Sequence, residues 1–91
     1  MKLNVQPINF EIAKQLEDFI EKKTARFARH LRENDELSIR LTVVKPATAM
    51  NKQADVRVGD IFASKTCDTF EQAINDALEA IESRLEKRKE N

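Results

Sequence analysis

Five basic residues, Lys22, Lys23, Arg26, Arg29 and Arg32, stand between positions 22 and 32 with no acidic residue among them. Side chains of these types at this density pair well with phosphate, Arg through a planar fork of donors and Lys as a point charge. Lys22, Arg26 and Arg29 follow an i, i+4, i+7 spacing, which places them on one side of a helix. A second basic group, Arg84, Lys87, Arg88 and Lys89, follows from position 84, diluted by Glu86 and Glu90. The chemistry on offer is anion binding.

The other reactive residue types do not assemble into a site. His30 and Cys67 are each the only residue of their kind. No metal cluster can be built from them, and a Cys–His nucleophilic pair would depend on the fold bringing two distant residues together. His30 reads as a boundary residue and Cys67 as a small buried one. The lone glycine, Gly59, excludes the glycine-rich phosphate loops of nucleotide-binding enzymes. The carboxylates fall on exposed helix positions with no apolar pocket to perturb them. Nothing here calls for a cofactor, a metal, a small-molecule substrate or an enzyme.

Composition narrows the class further. At 91 residues the chain is one domain, with room for one core and little for a deep enclosed active site. With 16 basic and 16 acidic residues the net charge is zero, so any electrostatic role must come from arrangement and not from overall charge. A hydrophobic fraction of 41% is enough to fold despite 35% charged residues. A single cysteine suits a reducing compartment. No apolar run has signal-peptide or bilayer-spanning length, so the expectation is a cytoplasmic protein with no membrane partner.

The elements that must position the bases can be read from periodicity. Residues 2–6 alternate weakly, and Pro7 stops a short strand. From about residue 12, Ile12, Leu16, Phe19, Ile20, Phe27 and Leu31 form one apolar helical stripe that runs until Asn34-Asp35. Ala13 stands where a capping oxygen would help, so this helix starts poorly capped. Residues 37–43 alternate as a strand, 45–53 with Pro46 form a loop that offers a second contact, and 54–58 alternate again. Gly59-Asp60 makes a two-residue hairpin turn into a strand at 61–64, which sets Val58 opposite Ile61 and Val56 opposite Ala63. The last helix starts near Thr69, capped by Asp68 or Thr69, with Phe70, Ile74, Leu78, Ile81 and Leu85 as its stripe.

The order is βαβββα, an α+β single domain. A strand, helix, strand crossover makes the first two strands parallel, and the following strands are antiparallel, giving a four-stranded mixed sheet. Followed through, these directions set both helices parallel on one sheet face. Their basic ends should then lie at one end of the domain. Acids at helix starts and bases at helix ends also suit the helix dipole, each placement stabilising by about 0.3–1 kcal/mol. That accounts for helix two. It accounts less well for helix one, where five bases across three turns exceed what a last turn needs.

The residues also point to a family. The opening Leu3-Asn4-Val5, then Phe10-Glu11-Ile12 leading to Leu16, Phe19 and Ile20, and the Lys23, Ala25, Arg26 run form one half of the pattern. Ile39-Arg40-Leu41, Ala54-Asp55-Val56, Ile61-Phe62-Ala63-Ser64 and the helix through Phe70, Ala73-Ile74 and Leu85 with Lys87 after it form the other. In order and spacing over nearly the whole length, the chain resembles the ribosome hibernation factor family, also called the ribosome-associated inhibitor or sigma-54 modulation family. The resemblance implies a βαβββα domain similar to a double-stranded RNA-binding fold. It implies binding in the decoding region of the small ribosomal subunit, where the domain blocks mRNA and tRNA and keeps idle ribosomes silent. The partners it implies are that subunit and its rRNA, with room for a separate ribosome-dimerising factor.

Carried over by position, Lys23, Arg26 and Arg29 match basic positions of the family's first helix, and Lys87 matches one in the second. With their neighbours, the rRNA-binding set is Lys22, Lys23, Arg26, Arg29, Arg84, Lys87, Arg88 and Lys89. The chain departs from the family pattern at Ala80 and Ser83, where bases are usual, at Asp68-Thr69-Phe70 and at Ala13. Ending at Asn91, it is expected to be a short form without the dimerisation domain of long members. Another class of function remains open, a regulatory module that pairs with proteins through an exposed sheet edge.

Overall fold

The computed structural model of the chain describes residues 2–44 and 49–89. Positions 45–48 of the expected loop, and the side chains of Arg88 and Lys89 in the expected basic set, lie outside the described residues. The elements are β1 (Lys2–Pro7), α1 (Lys14–Phe27), a 3₁₀ turn (Ala28–His30), β2 (Glu36–Val43), β3 (Lys52–Val58), β4 (Ile61–Cys67) and α2 (Phe70–Lys89). The sheet order is β1-β2-β3-β4, with β1 and β2 parallel and the other neighbours antiparallel. This is the expected βαβββα order.

Alternation along the strands makes one face of the sheet. Leu37, Ile39 and Leu41 of β2, Ala54, Val56 and Val58 of β3, and Ile61 and Ala63 of β4 all turn inward and are buried. Val58 stands opposite Ile61 and Val56 opposite Ala63, as the hairpin register requires. Gly59 closes that turn at φ +60°, a conformation side chains disfavour, although a Cβ there would meet nothing within 4 Å. β3 and β4 are longer than their alternation suggests, because Lys52, Gln53 and Ala54 pair with Cys67, Thr66 and Lys65. Pairing with a formed neighbour overrides the weak strand preference of these residues.

Both helices close the core from the same side. α2 packs on β3 and β4, and α1 packs against α2. Leu16, Ile20 and Phe27 come from α1; Phe70, Ala73, Ile74, Ala77, Leu78, Ile81 and Leu85 come from α2. Fully burying an aliphatic side chain of this size contributes about 1.5–3 kcal/mol. Thr24 is also buried on α1, its hydroxyl donating to the Ile20 carbonyl at 2.8 Å. Thr69 is the residue that caps α2, its Oγ1 accepting from the Gln72 N–H at 3.1 Å. Asp68 instead accepts from the Met50 N–H at 2.9 Å. Ala13 precedes α1 without a side-chain cap. Phe10 stacks on Phe70, centroids 5.1 Å apart, and ties the β1–α1 connection to the start of α2.

One boundary differs from the expected one. The α-helix ends at Phe27 and not near Asn34, and Leu31 is extended at φ −113°, ψ 155°. The Leu31 N–H bonds the Ala28 carbonyl, a tighter turn that satisfies a terminal carbonyl as the helix stops. The chain then reverses through Arg32 and Asp35: the Asp35 carboxylate accepts from the Arg32 N–H at 2.8 Å. The reversal is needed to enter β2 at Glu36 alongside Lys2. Leu31 still packs on the core, but from this turn.

Candidate nucleic-acid interface

α1 supplies the basic side chains and α2 the opposite wall. Lys23 stands beside Asn75 and His30 beside Glu82, a seven-residue step on each chain segment, so the two helices run in the same direction. A groove of about 210 Å³ lies between them, lined from α1 and its 3₁₀ turn by Lys23, Arg26, Arg29 and His30 and from α2 by Asn75, Glu79 and Glu82. The turn advances about three residues per revolution, which brings position 29 into the row of 23 and 26. Lys22, expected beside Arg26 and Arg29, faces a separate hollow with Gln15, Asp18 and Glu71.

The bases are not equally available. The Lys23 ammonium donates to Asn75 Oδ1 at 3.0 Å and lies 5.6 Å from the centre of the Phe19 ring, so it is half-buried and held. Arg26 and Arg29 are exposed. His30 Nε2 lies 3.3 Å from Glu82 and 3.5 Å from Arg29 Nε. The same nitrogen faces both neighbours: only as an N–H can it donate to Glu82, and only as a lone pair can it accept from Arg29. The ion pair of Lys14 with Asp18 at 3.3 Å is exposed and worth little.

Within this groove the described bases of α2 do not join those of α1. Across from Lys23, Arg26 and Arg29 stand not the bases of α2 but its acids Glu79 and Glu82, because α2 runs on well past the end of α1. Arg84 is two positions beyond Glu82, about 200° further round the helix, and so points away from α1. Its Nη1 donates to the Phe62 carbonyl of β4 at 2.6 Å. Lys87 is exposed and already has a partner. Ala80 packs against the core and Ser83 is exposed. Asn75, Glu79 and Glu82 are the polar wall that α2 gives this groove. Their i, i+4, i+7 spacing, one step off the apolar stripe of Ile74, Leu78 and Ile81, is the signal that finds them.

Cys67 is half-buried, its Sγ 3.6 Å from an Asp76 carboxylate oxygen. Burial first, then the hydrogen bond to Asp76 and its charge, pushes the thiol above its ordinary range. Such a thiol is a poor nucleophile. Among the described residues no group of three or more His, Cys, Asp or Glu is placed to hold a metal ion. No helix there is long and apolar enough to cross a membrane.

The family described as Sigma 54 modulation protein / S30EA ribosomal protein matches residues 3–91. The chain belongs to that family. It is a ribosome-associated family. No curated protein matches the chain significantly. Among solved structures, the Thermus thermophilus Protein Y N-terminal domain superposes with TM-score 0.74 at 21% identity, covering 96% of this chain and 98% of that one. A ribosomal subunit interface protein from Coxiella burnetii gives TM-score 0.74 at 22% identity, with both chains covered completely. At these identities the likeness is one of fold. The sigma 54 modulation family fold therefore sets two same-direction helices over a mixed sheet, and this member presents α1 as its basic side.

Proposed function

We propose that this protein is a hibernation factor that binds the small ribosomal subunit in the decoding region, excludes mRNA and tRNA, and so silences and protects idle ribosomes. The observation that carries the reading is the row of Lys23, Arg26 and Arg29, three bases of the acid-free run, along one groove. Lys23, fixed by Asn75, sets the register, while Arg26 and Arg29 reach for rRNA phosphates beside it. Lys22 adds a contact on the flank. Such binding needs only phosphate pairing and steric exclusion, with shape and not base sequence as the specificity. It places the protein in the cytoplasm, in the response to stress that idles ribosomes, with a separate ribosome-dimerising factor as a further partner.

The carry-over to α2 is narrower than resemblance alone suggests. Arg84 is engaged by the β4 carbonyl, so the α2 contribution to rRNA binding is assigned to Lys87, the position that matches the family's second helix and is exposed. At the β4 edge the same contact weakens the competing reading of a sheet-edge protein module. A two-residue hairpin closes on a hydrogen-bonded pair, so the next pair turns the Phe62 amide groups to the open edge, where Arg84 blocks an added strand.

Co-sedimentation with small subunits, comparing wild type with Lys23→Glu, Arg26→Glu and Arg29→Glu combined, tests the proposal at two salt concentrations. Wild type should pellet with the subunit at low salt and release steeply as salt rises, and the triple variant should stay in the supernatant. A wild-type protein that remains at the top of the gradient at low salt sinks the reading.

A further inference from the structure

The sheet face turned away from the helices has two rows of side chains in register. Asn4, Ser38, Arg57 and Phe62 align across the four strands, and Gln6, Arg40, Asp55 and Ser64 align in the next row. At the usual strand spacing the rows cross about 14 Å. Between them lies a shallow depression of about 460 Å³. Phe62 is 41% exposed, the only large apolar side chain in either row. The Arg57 guanidinium carbon lies 5.2 Å from the centre of its ring. From the other side Arg84 holds the Phe62 carbonyl, so the ring stands on a fixed stretch of backbone.

We propose that this outer face binds a short single-stranded RNA segment, an unpaired base stacking on Phe62 and flanking phosphates pairing with Arg57 and Arg40. An exposed aromatic ring beside a guanidinium is a platform any base can use. The polar groups around it suit base edges: Asn4, Gln6 and Ser38 offer donors and acceptors within the same two rows. Asp55 accepts from Ser64 Oγ at 2.6 Å and Gln53 Nε2 at 2.9 Å, which holds its carboxylate in place as an acceptor for base amino groups. The rows carry two cationic side chains against that single anion, so the balance favours a phosphate chain. A protein partner is disfavoured because its interface would need several apolar anchors, and these rows supply one. The width fits two or three nucleotides.

This surface is opposite the α1 groove, with the core between them, so the two can be occupied together and tested apart. The probe is a fluorescein-labelled oligouridylate of about eight nucleotides, followed by anisotropy with the full chain. Phe62→Leu keeps an apolar side chain and removes the stacking face; it should weaken binding at least about fivefold. Phe62→Tyr should bind as wild type, and Arg57→Gln should weaken binding and flatten its salt dependence. Phe62→Leu should still co-sediment with small subunits, whereas Lys23→Gln, Arg26→Gln and Arg29→Gln combined should lose the subunit and keep the oligonucleotide. Melting curves of the Phe62 variants matching wild type exclude misfolding, and the Arg57 variant gives an independent reading. The inference is overturned if Phe62→Leu and Arg57→Gln bind like wild type, or if only the α1 variant loses the oligonucleotide. It is equally overturned if Phe62→Leu leaves the oligonucleotide bound and abolishes capture of a protein.

Discussion

Neutralising the acids that face the α1 bases should tighten ribosome binding. Glu79 and Glu82 share the groove with Arg26 and Arg29. Packed helix axes lie about 8–10 Å apart, so a phosphate seated on the two arginines is on the order of 8 Å from the carboxylates. At that separation each repulsion is about 0.5 kcal/mol in a water-like medium and about 2 kcal/mol at an effective dielectric of 20. For Glu79→Gln with Glu82→Gln the working figure is about 1–2 kcal/mol, or about five- to thirtyfold in Kd at low salt. The gain should shrink to about twofold at physiological salt, where the screening length is about 8 Å. The fold should tolerate the change. Glu79→Gln keeps a side-chain oxygen for the Asn75 amide, which donates to the Glu79 carboxylate at 3.4 Å, and the partly exposed His30–Glu82 pair contributes at most about 1 kcal/mol. A co-sedimentation titration at two salt concentrations reads the effect, with a melting curve as control. Unchanged or weaker binding by a normally melting double variant would refute the placement of phosphate in this groove.

Other expectations follow from single contacts. Arg26→Ala and Arg29→Ala should each flatten the plot of log affinity against log salt by about 0.7–0.9, while Lys14→Ala, whose ammonium is paired with Asp18, should leave the slope alone. Arg84→Ala should change subunit binding less than about twofold by titration, since its guanidinium is bonded to the Phe62 carbonyl. Ile81→Ala, at a fully buried position, should lower unfolding free energy by about 2–5 kcal/mol in urea titrations. The raised Cys67 pKa leaves less thiolate at any given pH, so alkylation should lag behind that of an unperturbed thiol until the pH is well above neutral. Asp76→Asn should speed it, and equal rates in both proteins would remove Asp76 as a cause.

Much of the fold was legible because binary patterning and one turn sufficed. Strict alternation at Leu37, Ile39 and Leu41, and a Gly-Asp turn, fixed register and face without tertiary knowledge. The end of α1 was not legible, since Leu31 continues the apolar spacing while its backbone leaves the helix. Periodicity reports which residues meet the core and not the backbone that delivers them. The site was legible as a charge run and illegible as a surface. That Lys23 is held by Asn75, that Glu82 faces α1 and that Arg84 faces β4 all depend on how far the helices are offset. Residue spacing within one helix contains no such offset.

The place of β1 in the sheet has a consequence for the order of folding. β2 meets β3 and β3 meets β4 through connections close in sequence, but Lys2 meets Glu36 only after the whole of α1. β1 has a single neighbour, none of its described residues is fully buried, and Leu3 stays 38% exposed. Contacts between distant residues form late because their loop must close first, and elements with little burial open most readily. Amide exchange should therefore be fastest in β1 among the strands and slowest in β2 and β3 where they pair. The parallel strand docks last and leaves first.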